Sequence, residues 1–376
     1  MPKNKLCLLI TGLSYGGAEN QLLSTALVLK KRGWDVHVIS MCPPRAYTAE
    51  LAAENIPVYS LDMRRKLPDP RALFRFASLL RKIRPDVLHS HMIHANIFAR
   101  TARILCRIPV LVCTAHNIYE GKKWREYAYR YTDRFCDLTT NVCHAGAARA
   151  IAIRTVPQAK IKYMPNGVDV QRFSPDGLVR SKARAEMALD GKFVFLAVGR
   201  YEEQKDYPNM LRAFALVYKE DPTVVLLLAG DGVLKSKMEV LARTLDLANN
   251  VRFLGIRRDV PDLMNAADSY VMSSAWEGMP MVLLEAAAMG LPIVTTDVGG
   301  NGDVVLNGLN GILVPARDAV KLAEAMTTLK NASEEELMAM RKAAIEQIAD
   351  NYDIEKVVDR WEQHYETLLT GKIEKI

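Results

Sequence analysis

Two carboxylates at a fixed spacing and two cations on one loop are the groups in this chain best suited to chemistry. Residues 273–290 read S-S-A-W-E-G-M-P-M-V-L-L-E-A-A-A-M-G and hold Glu277 and Glu285 with seven residues between them. The preceding run, 268–272, reads as a short buried strand. Pro280 stands where a first helical residue is favoured, because its missing N–H and fixed φ cost nothing there. Glu277 is therefore predicted in a strand-to-helix loop and Glu285 inside a helix over 280–289. That helix is apolar nearly all round, hence buried, and Glu285 is its only charge. A buried carboxylate must neutralise or find strong donors, and the paired hydroxyls of a ribose would supply them. Glu277 and Gly278 lie at the positive end of the helix, where backbone N–H groups suit an anionic or polyhydroxyl ligand. One buried salt bridge and one loop glutamate are the competing reading.

Arg200 and Lys205 follow an uninterrupted apolar run, 193–198, on the loop G-R-Y-E-E-Q-K-D. Arg200 can grip phosphate oxygens with a planar fork and Lys205 can add a point charge; two surface cations are the alternative. In the first half, His116 closes the apolar run 110–114, and the carboxyl end of a strand is where open α/β sheets bind ligands. His89, His91 and His94 cluster at the end of another run, but no Asp or Glu ligand lies close by, which speaks against a metal. Gly16 and Gly17 stand between a strand-like run and a helix-like run; this allows close approach of a ligand or simply a tight turn. Residues 121–136 are basic and aromatic, with Lys122, Lys123, Trp124 and Arg125 followed by Tyr127, Tyr129 and Tyr131. They suit an anionic or lipid-linked acceptor, with base stacking on RNA as the rival use.

These groups need rigid elements to hold them. Strand-sized apolar runs alternate with helical ones along the whole chain, which implies parallel sheets covered on both faces. The 376 residues exceed one core and suit two domains. A polar, turn-rich stretch over 173–190 reads as the linker. The expected division is 1–180, 181–351 and a C-terminal helix over 352–376, whose amphipathic part, 352–369, folds back across the domains.

Composition narrows the class. Hydrophobic residues make up 49% and charged ones 25%, as in ordinary globular proteins, and no apolar run approaches the roughly 20 residues of a membrane span. The apolar run after Asn4 and Lys5 is too short for a signal peptide core, so a cytoplasmic enzyme is expected. Six cysteines without a C-x-x-C pair read as reduced thiols. The net charge of +7 is concentrated early, at Arg64, Arg65, Lys66, Arg71, Arg75, Arg81, Lys82 and Arg84. That face would meet an anionic membrane or nucleic acid, or be a solvated helix face.

Taken together, Gly16-Gly17, His116, the P-N-G-V-D run at 165–169, Arg200 with Lys205, the F-L-G run at 253–255, the Glu277/Glu285 pair and Gly299-Gly300 resemble glycosyltransferase family 4 over nearly the whole chain. The resemblance implies the GT-B fold, with two Rossmann-like doubly wound domains facing across a cleft and the last helix crossing back to the first domain. It implies a retaining transferase that moves a hexose or N-acetylhexosamine from a UDP-sugar, with GDP-mannose the donor left open. No D-x-D carboxylate pair is present to hold a divalent metal, so a metal-independent enzyme without a cofactor is expected. The expected acceptor is undecaprenyl-diphosphate-linked or a polysaccharide, at the inner face of the cytoplasmic membrane, with no nucleic acid. By the same resemblance, Arg200 and Lys205 hold the donor diphosphate, Glu285 the ribose, and Glu277 the sugar hydroxyls. The backbone of Gly278, Met279, Pro280, Met281 and Val282 lies nearby, Ile256 and Arg257 lie at the base, Gly16 and Gly17 close over the diphosphate, and His116 lies beside the reacting carbon. Lys122, Lys123, Trp124 and Arg125 are expected on the acceptor side. Asp303 departs from the glutamate common in the family. A sugar-nucleotide epimerase on the same fold, or a basic module binding anionic surfaces or nucleic acid, are the alternatives.

Overall fold

The computed structural model describes residues 4–64, 67, 69–119 and 121–373, with side chains to 371; Arg65 and Lys66 of the basic run lie outside the described residues. The chain forms two compact units, Met1–Gly167 with Ile354–Ile376, and Val168–Asp353.

The first unit is built on a parallel sheet of β1 (Lys5–Ile10), β2 (Asp35–Ser40), β3 (Val58–Ser60), β4 (Val87–His91), β5 (Val110–Ala115), β6 (Leu138–Asn141) and β7 (Ile161–Tyr163), in the order β3-β2-β1-β4-β5-β6-β7. Its central strands are buried on both faces, which is why β1 and β5 read as largely apolar runs, while β4 carries His89, Ser90 and His91 into the interior. The chain winds outward from β1 in one direction, then returns and winds from β4 in the other. The order reverses between β1 and β4, and such a switch point opens a crevice at the carboxyl ends of the strands. The loop with Gly16 and the end of β4 with His91 flank it.

The second unit has a parallel sheet of β8 (Val194–Val198), β9 (Val225–Ala229), β10 (Val251–Gly255), β11 (Ser269–Met272), β12 (Ile293–Thr296) and β13 (Gly311–Val314), in the order β10-β9-β8-β11-β12-β13. Its switch point lies between β8 and β11. The loop after β8 carries Arg200 and Lys205, and the loop after β11 carries Glu277. Both halves are therefore Rossmann-like and doubly wound.

Residues 173–190, read as a linker, are instead anchored to the second unit. They contain the helix Gly177–Glu186, capped by Asp176, whose side chain accepts from the Leu178 and Val179 N–H groups. Arg180 and Arg184 of this helix both reach Asp268, at 2.5 and 3.1 Å. The polar residues that suggested a flexible connection are one face of an ion-paired helix. Pro280 also differs from expectation: its ψ of 124° is extended, so it precedes the helix Met281–Ala288.

The last helix, Ile354–Ile373, belongs to the first unit and buries Ile354, Val357, Val358, Trp361 and Tyr365 in its core. Arg32 anchors it through Glu355, Asp359 and Glu362 at 2.5–2.7 Å, and the Trp34 indole N–H donates to Glu362 at 2.7 Å. The P-N-G run meets the start of this helix. The Gly167 N–H donates to the Gln21 side chain at 2.8 Å, and a Cβ on Gly167 would lie 2.8 Å from the Ile354 Cα and 2.9 Å from its Cδ1. Backbone cannot yield cheaply, so Gly167→Ala is expected to lower stability by about 1–3 kcal/mol. Denaturant unfolding checks this against Gly177→Ala, where a Cβ meets nothing within 4 Å.

Candidate active site

The loops at the switch point of the second unit bring Lys205 and Glu277 together. The Lys205 ammonium donates to Glu277 Oε1 at 2.6 Å, and Gln204 Nε2 donates to Oε2 at 3.0 Å. The ion pair is largely withdrawn from water, with side-chain exposures of 17% for Lys205 and 7% for Glu277. Removing one member of such a pair leaves an uncompensated charge. The loops are tied by backbone as well: the Ala275 N–H donates to the Gln204 carbonyl at 2.8 Å, and the Ser273 hydroxyl lies 2.9 Å from the carbonyls of Lys205 and Asp206.

A third loop, after β12, clamps the main chain of Glu277. The Gly300 N–H donates to the Gly278 carbonyl at 2.6 Å. At Gly299, φ is +64° and a Cβ would run into the Glu277 carbonyl, so only glycine permits this approach. Glu277 is thus fixed from side chain and backbone alike. Sequence reading did not single out Gln204, a neutral residue one place before Lys205 that carried no signal of its own.

Arg200 stands apart. Its side chain is 64% exposed and pairs with Glu202 at 3.1 Å, so the two expected phosphate ligands have different partners here. Ile256, just past β10, is 77% exposed, while Arg257 forms a close pair with Asp259. Asp303 lies in the short helix Asn301–Val304, where its carbonyl accepts from the Tyr352 hydroxyl at 2.6 Å.

Glu285 is the unsatisfied member of the constellation. It is buried within the helix Met281–Ala288, and no hydrogen-bond donor reaches its carboxylate among the described residues. Burial raises its carboxyl to about 7, with the charge of Arg172 pulling the other way. Arg172 was likewise missed from sequence: it stands alone between the P-N-G-V-D run and the stretch taken for a linker, with no pattern of its own.

In the first unit, His116 follows β5 by one residue. Its Nε2 lies 3.1 Å from Nδ1 of His91, the last residue of β4. Burial lowers His116 to about 4, so the ring is neutral near pH 7. Gly16 caps the helix Gly17–Lys31. The amino end of that helix already carries a carboxylate, Glu19, which accepts from the Ser14 hydroxyl at 3.0 Å. On the helix Lys123–Thr132, Trp124, Tyr127 and Tyr131 are 55%, 58% and 72% exposed, and the Arg125 guanidinium lies 5.6 Å from the Trp124 ring centre. Tyr129 is turned inward beneath Arg100, 3.8 Å from its ring centre. Among the described residues no group of three or more His, Cys, Asp or Glu side chains is placed to hold a metal ion, and no helix is long and apolar enough to cross a membrane.

Residues 15–172 match the family model described as Glycosyltransferase Family 4, and residues 179–347 the one described as Glycosyl transferases group 1. The chain is 29% identical over 319 residues, 81% of each chain, to the UDP-Gal:alpha-D-GlcNAc-diphosphoundecaprenol alpha-1,3-galactosyltransferase of Escherichia coli. It is 29% identical over 359 residues, 84% of each chain, to the D-inositol 3-phosphate glycosyltransferase of Actinosynnema mirum. Among solved structures, HepE of Anabaena in complex with UDP-glucose matches with a TM-score of 0.85 at 21% identity, covering 97% of this chain and 100% of that one. WaaG, a glycosyltransferase involved in lipopolysaccharide biosynthesis, matches with a TM-score of 0.73 at 19% identity, covering 94% and 98%. At these identities the structural matches establish the fold.

The Glu285 carboxyl titrates near 4.5 when unfolded and about 7 when folded. A raised folded value means that its contribution to stability is greatest below pH 4.5 and is lost as pH rises through about 7. At roughly 1.4 kcal/mol per pH unit, the ionised group costs on the order of 3 kcal/mol at pH 8. Glu285→Gln is expected to stabilise the ligand-free protein at pH 8 by about 1–3 kcal/mol and to lose that gain toward pH 4.5. Urea unfolding at both pH values checks this, and an equal effect at both would refute it.

Proposed function

We propose that this chain, which belongs to the glycosyltransferases of the GT-B fold, moves a hexose or N-acetylhexosamine from a UDP-sugar to a lipid-linked or polysaccharide acceptor in bacterial cell-surface glycan synthesis, with retention at the anomeric carbon. The observation that carries the donor assignment is Glu285, a buried carboxylate with no donor among the described residues, on the helix that begins just past the Lys205–Glu277 pair. A ribose offers two adjacent hydroxyls to such a group and would hold it ionised. The UDP-Gal donor in the name of the E. coli relative and the UDP-glucose held by HepE support uridine as the base. The diphosphoundecaprenol in that same name, with the role of WaaG in lipopolysaccharide biosynthesis, supports the acceptor class.

Cleavage of the bond between sugar and diphosphate places negative charge on the leaving phosphate, and fixed cations lower that barrier most when already oriented. Lys205 is so oriented. One of its three N–H donors is engaged by Glu277, which leaves two for phosphate oxygens. Arg200 exchanges Glu202 for the same group, and the first-turn N–H groups of Met281 and Val282 add the positive end of the helix. Glu277, immobilised by Lys205, Gln204 and the Gly299–Gly300 loop, accepts from sugar hydroxyls. Ile256 and Arg257 are assigned to the base, and Gly16 and Gly17 to closure over the diphosphate. His116 is assigned to the reacting sugar, where a neutral imidazole contributes a hydrogen bond and no charge. Lys122, Lys123, Trp124 and Arg125 serve the acceptor at the cytoplasmic face of an anionic membrane, Trp124, Tyr127 and Tyr131 entering the interface and the cations meeting headgroups.

A panel of nucleotide sugars, read by thermal stabilisation and by transfer, tests this reading. A UDP-sugar is expected to stabilise the protein and to support transfer in the presence of chelator. Release of nucleotide from the donor without any acceptor would indicate an epimerase, and salt-dependent RNA binding with no nucleotide-sugar response would indicate a binding module. Lys205→Ala is expected to lower kcat by about 10²–10³-fold, and wild-type transfer by that variant would remove Lys205 from the site. The pH–rate profile should show no limb near 6.5 from His116, because burial keeps its pKa near 4.

A further inference from the structure

The contact between His91 and His116 carries more than proximity. Each ring is neutral and holds one proton, so across the 3.1 Å gap between His91 Nδ1 and His116 Nε2 one nitrogen donates and the other accepts. The far nitrogen of His91, Nε2, is sealed from solvent and has no hydrogen-bond partner among the described residues. If His91 were the acceptor, its proton would sit on that sealed nitrogen as a buried N–H with nothing to receive it. Orphaned N–H groups are rarer in native interiors than orphaned lone pairs. We propose that His91 is the positioning residue of His116: its Nδ1–H donates to His116 Nε2 and so fixes the His116 proton on Nδ1, the nitrogen presented to the ligand.

The surroundings hold the donor in place. His89 and His91 share one face of β4, two residues apart, with ring centres 4.1 Å apart. His89 is itself pinned at both nitrogens, by the Tyr365 hydroxyl at 2.7 Å and the Thr114 hydroxyl at 2.6 Å, and Thr114 is joined to Thr140 at 2.8 Å. The Trp361 ring lies 4.5 Å from that of His89. Tyr365 and Trp361 both belong to the returning helix, so the last helix of the chain buttresses the histidine pair. His116 Nδ1 has no partner among the described residues and, unlike His91 Nε2, is not sealed.

The consequence for transfer rests on the assignment of His116 to the reacting sugar, whereas the tautomer does not. Nitrogen-15 spectra of the full chain with labelled histidine are expected to show His116 protonated at Nδ1 and bare at Nε2. A proton on Nε2 in the wild type would overturn the proposal whatever the kinetics. His91→Asn, whose amide N–H can replace the Nδ1 donor, should keep the tautomer and wild-type kcat within about threefold, while His91→Phe should lose the tautomer preference and lower kcat by about 10- to 100-fold at nearly unchanged donor KM. Equal kcat in the Asn and Phe variants, with both folded, would count against positioning. If His116→Ala left transfer unchanged, the assignment of His116 would fall while the spectrum still decided the tautomer.

Discussion

The cost of burying a carboxylate organises the second unit. Glu277 and Glu285 stand eight positions apart at the same switch point, yet they are treated in opposite ways. Glu277 is matched to the half-buried Lys205 at 2.6 Å and to the Gln204 amide at 3.0 Å, and the Gly299–Gly300 loop grips its backbone. Glu285 has no donor among the described residues, and burial raises its carboxyl to about 7. A structural carboxylate in a core is expected to be matched, since an unmatched one is selected against wherever it serves nothing. The contrast separates a group that gives the site its shape from a group whose burial no donor among the described residues offsets.

In the first unit the same economy of polar groups acts on histidine. His89 and His91 lie on a fully buried strand, and burial drives both toward the neutral form. Neutral imidazole still needs hydrogen-bond partners, and those of His89 come from β5 and from the end of the chain. The returning helix therefore does two jobs at once. Its apolar face, Val357, Val358 and Trp361, completes the core, and its Tyr365 hydroxyl satisfies a ring nitrogen that no neighbouring strand reaches. The Arg32 cluster and the close seat at Gly167 fix the register of the helix, so the orientation of the histidines depends on packing set more than 250 residues away in sequence.

Much of this was legible in the chain. Doubly covered parallel strands appear as unbroken apolar runs, and β5 and β8 fall on the runs at 110–114 and 193–198. Glu285 was recognisable because a lone charge in an apolar helix has few explanations. Other features were hidden for physical reasons. Strand β13 opens on Gly311, directly after a turn at 308–310, so its first residue reads as a continuation of the turn. The helix Gly177–Glu186 looks like a linker because the arginines that tether it to Asp268 read as solvent-facing charge. The partnership of Lys205 with Glu277 spans 72 residues, and nothing local in either loop announces it. Gln204 is silent altogether, since an uncharged polar residue gains meaning only from what it touches.

Two sheets with the same reversal of strand order place their chemistry in the same way, at loops following the strands that flank the switch point. Those loops are held by packing beneath them, so polar groups can be presented without first being matched to one another. Arg200, exposed and paired with Glu202, and Glu285, buried with no donor among the described residues, are two outcomes of that arrangement. A ligand that brings an anion to the first and hydroxyls to the second would relieve the desolvation cost of Glu285 as it binds. The energy that the empty site withholds from folding would then reappear as affinity, and binding would stabilise the second unit in proportion to that affinity. Stability and recognition are in this sense the same free energy, divided differently in the empty and the occupied protein.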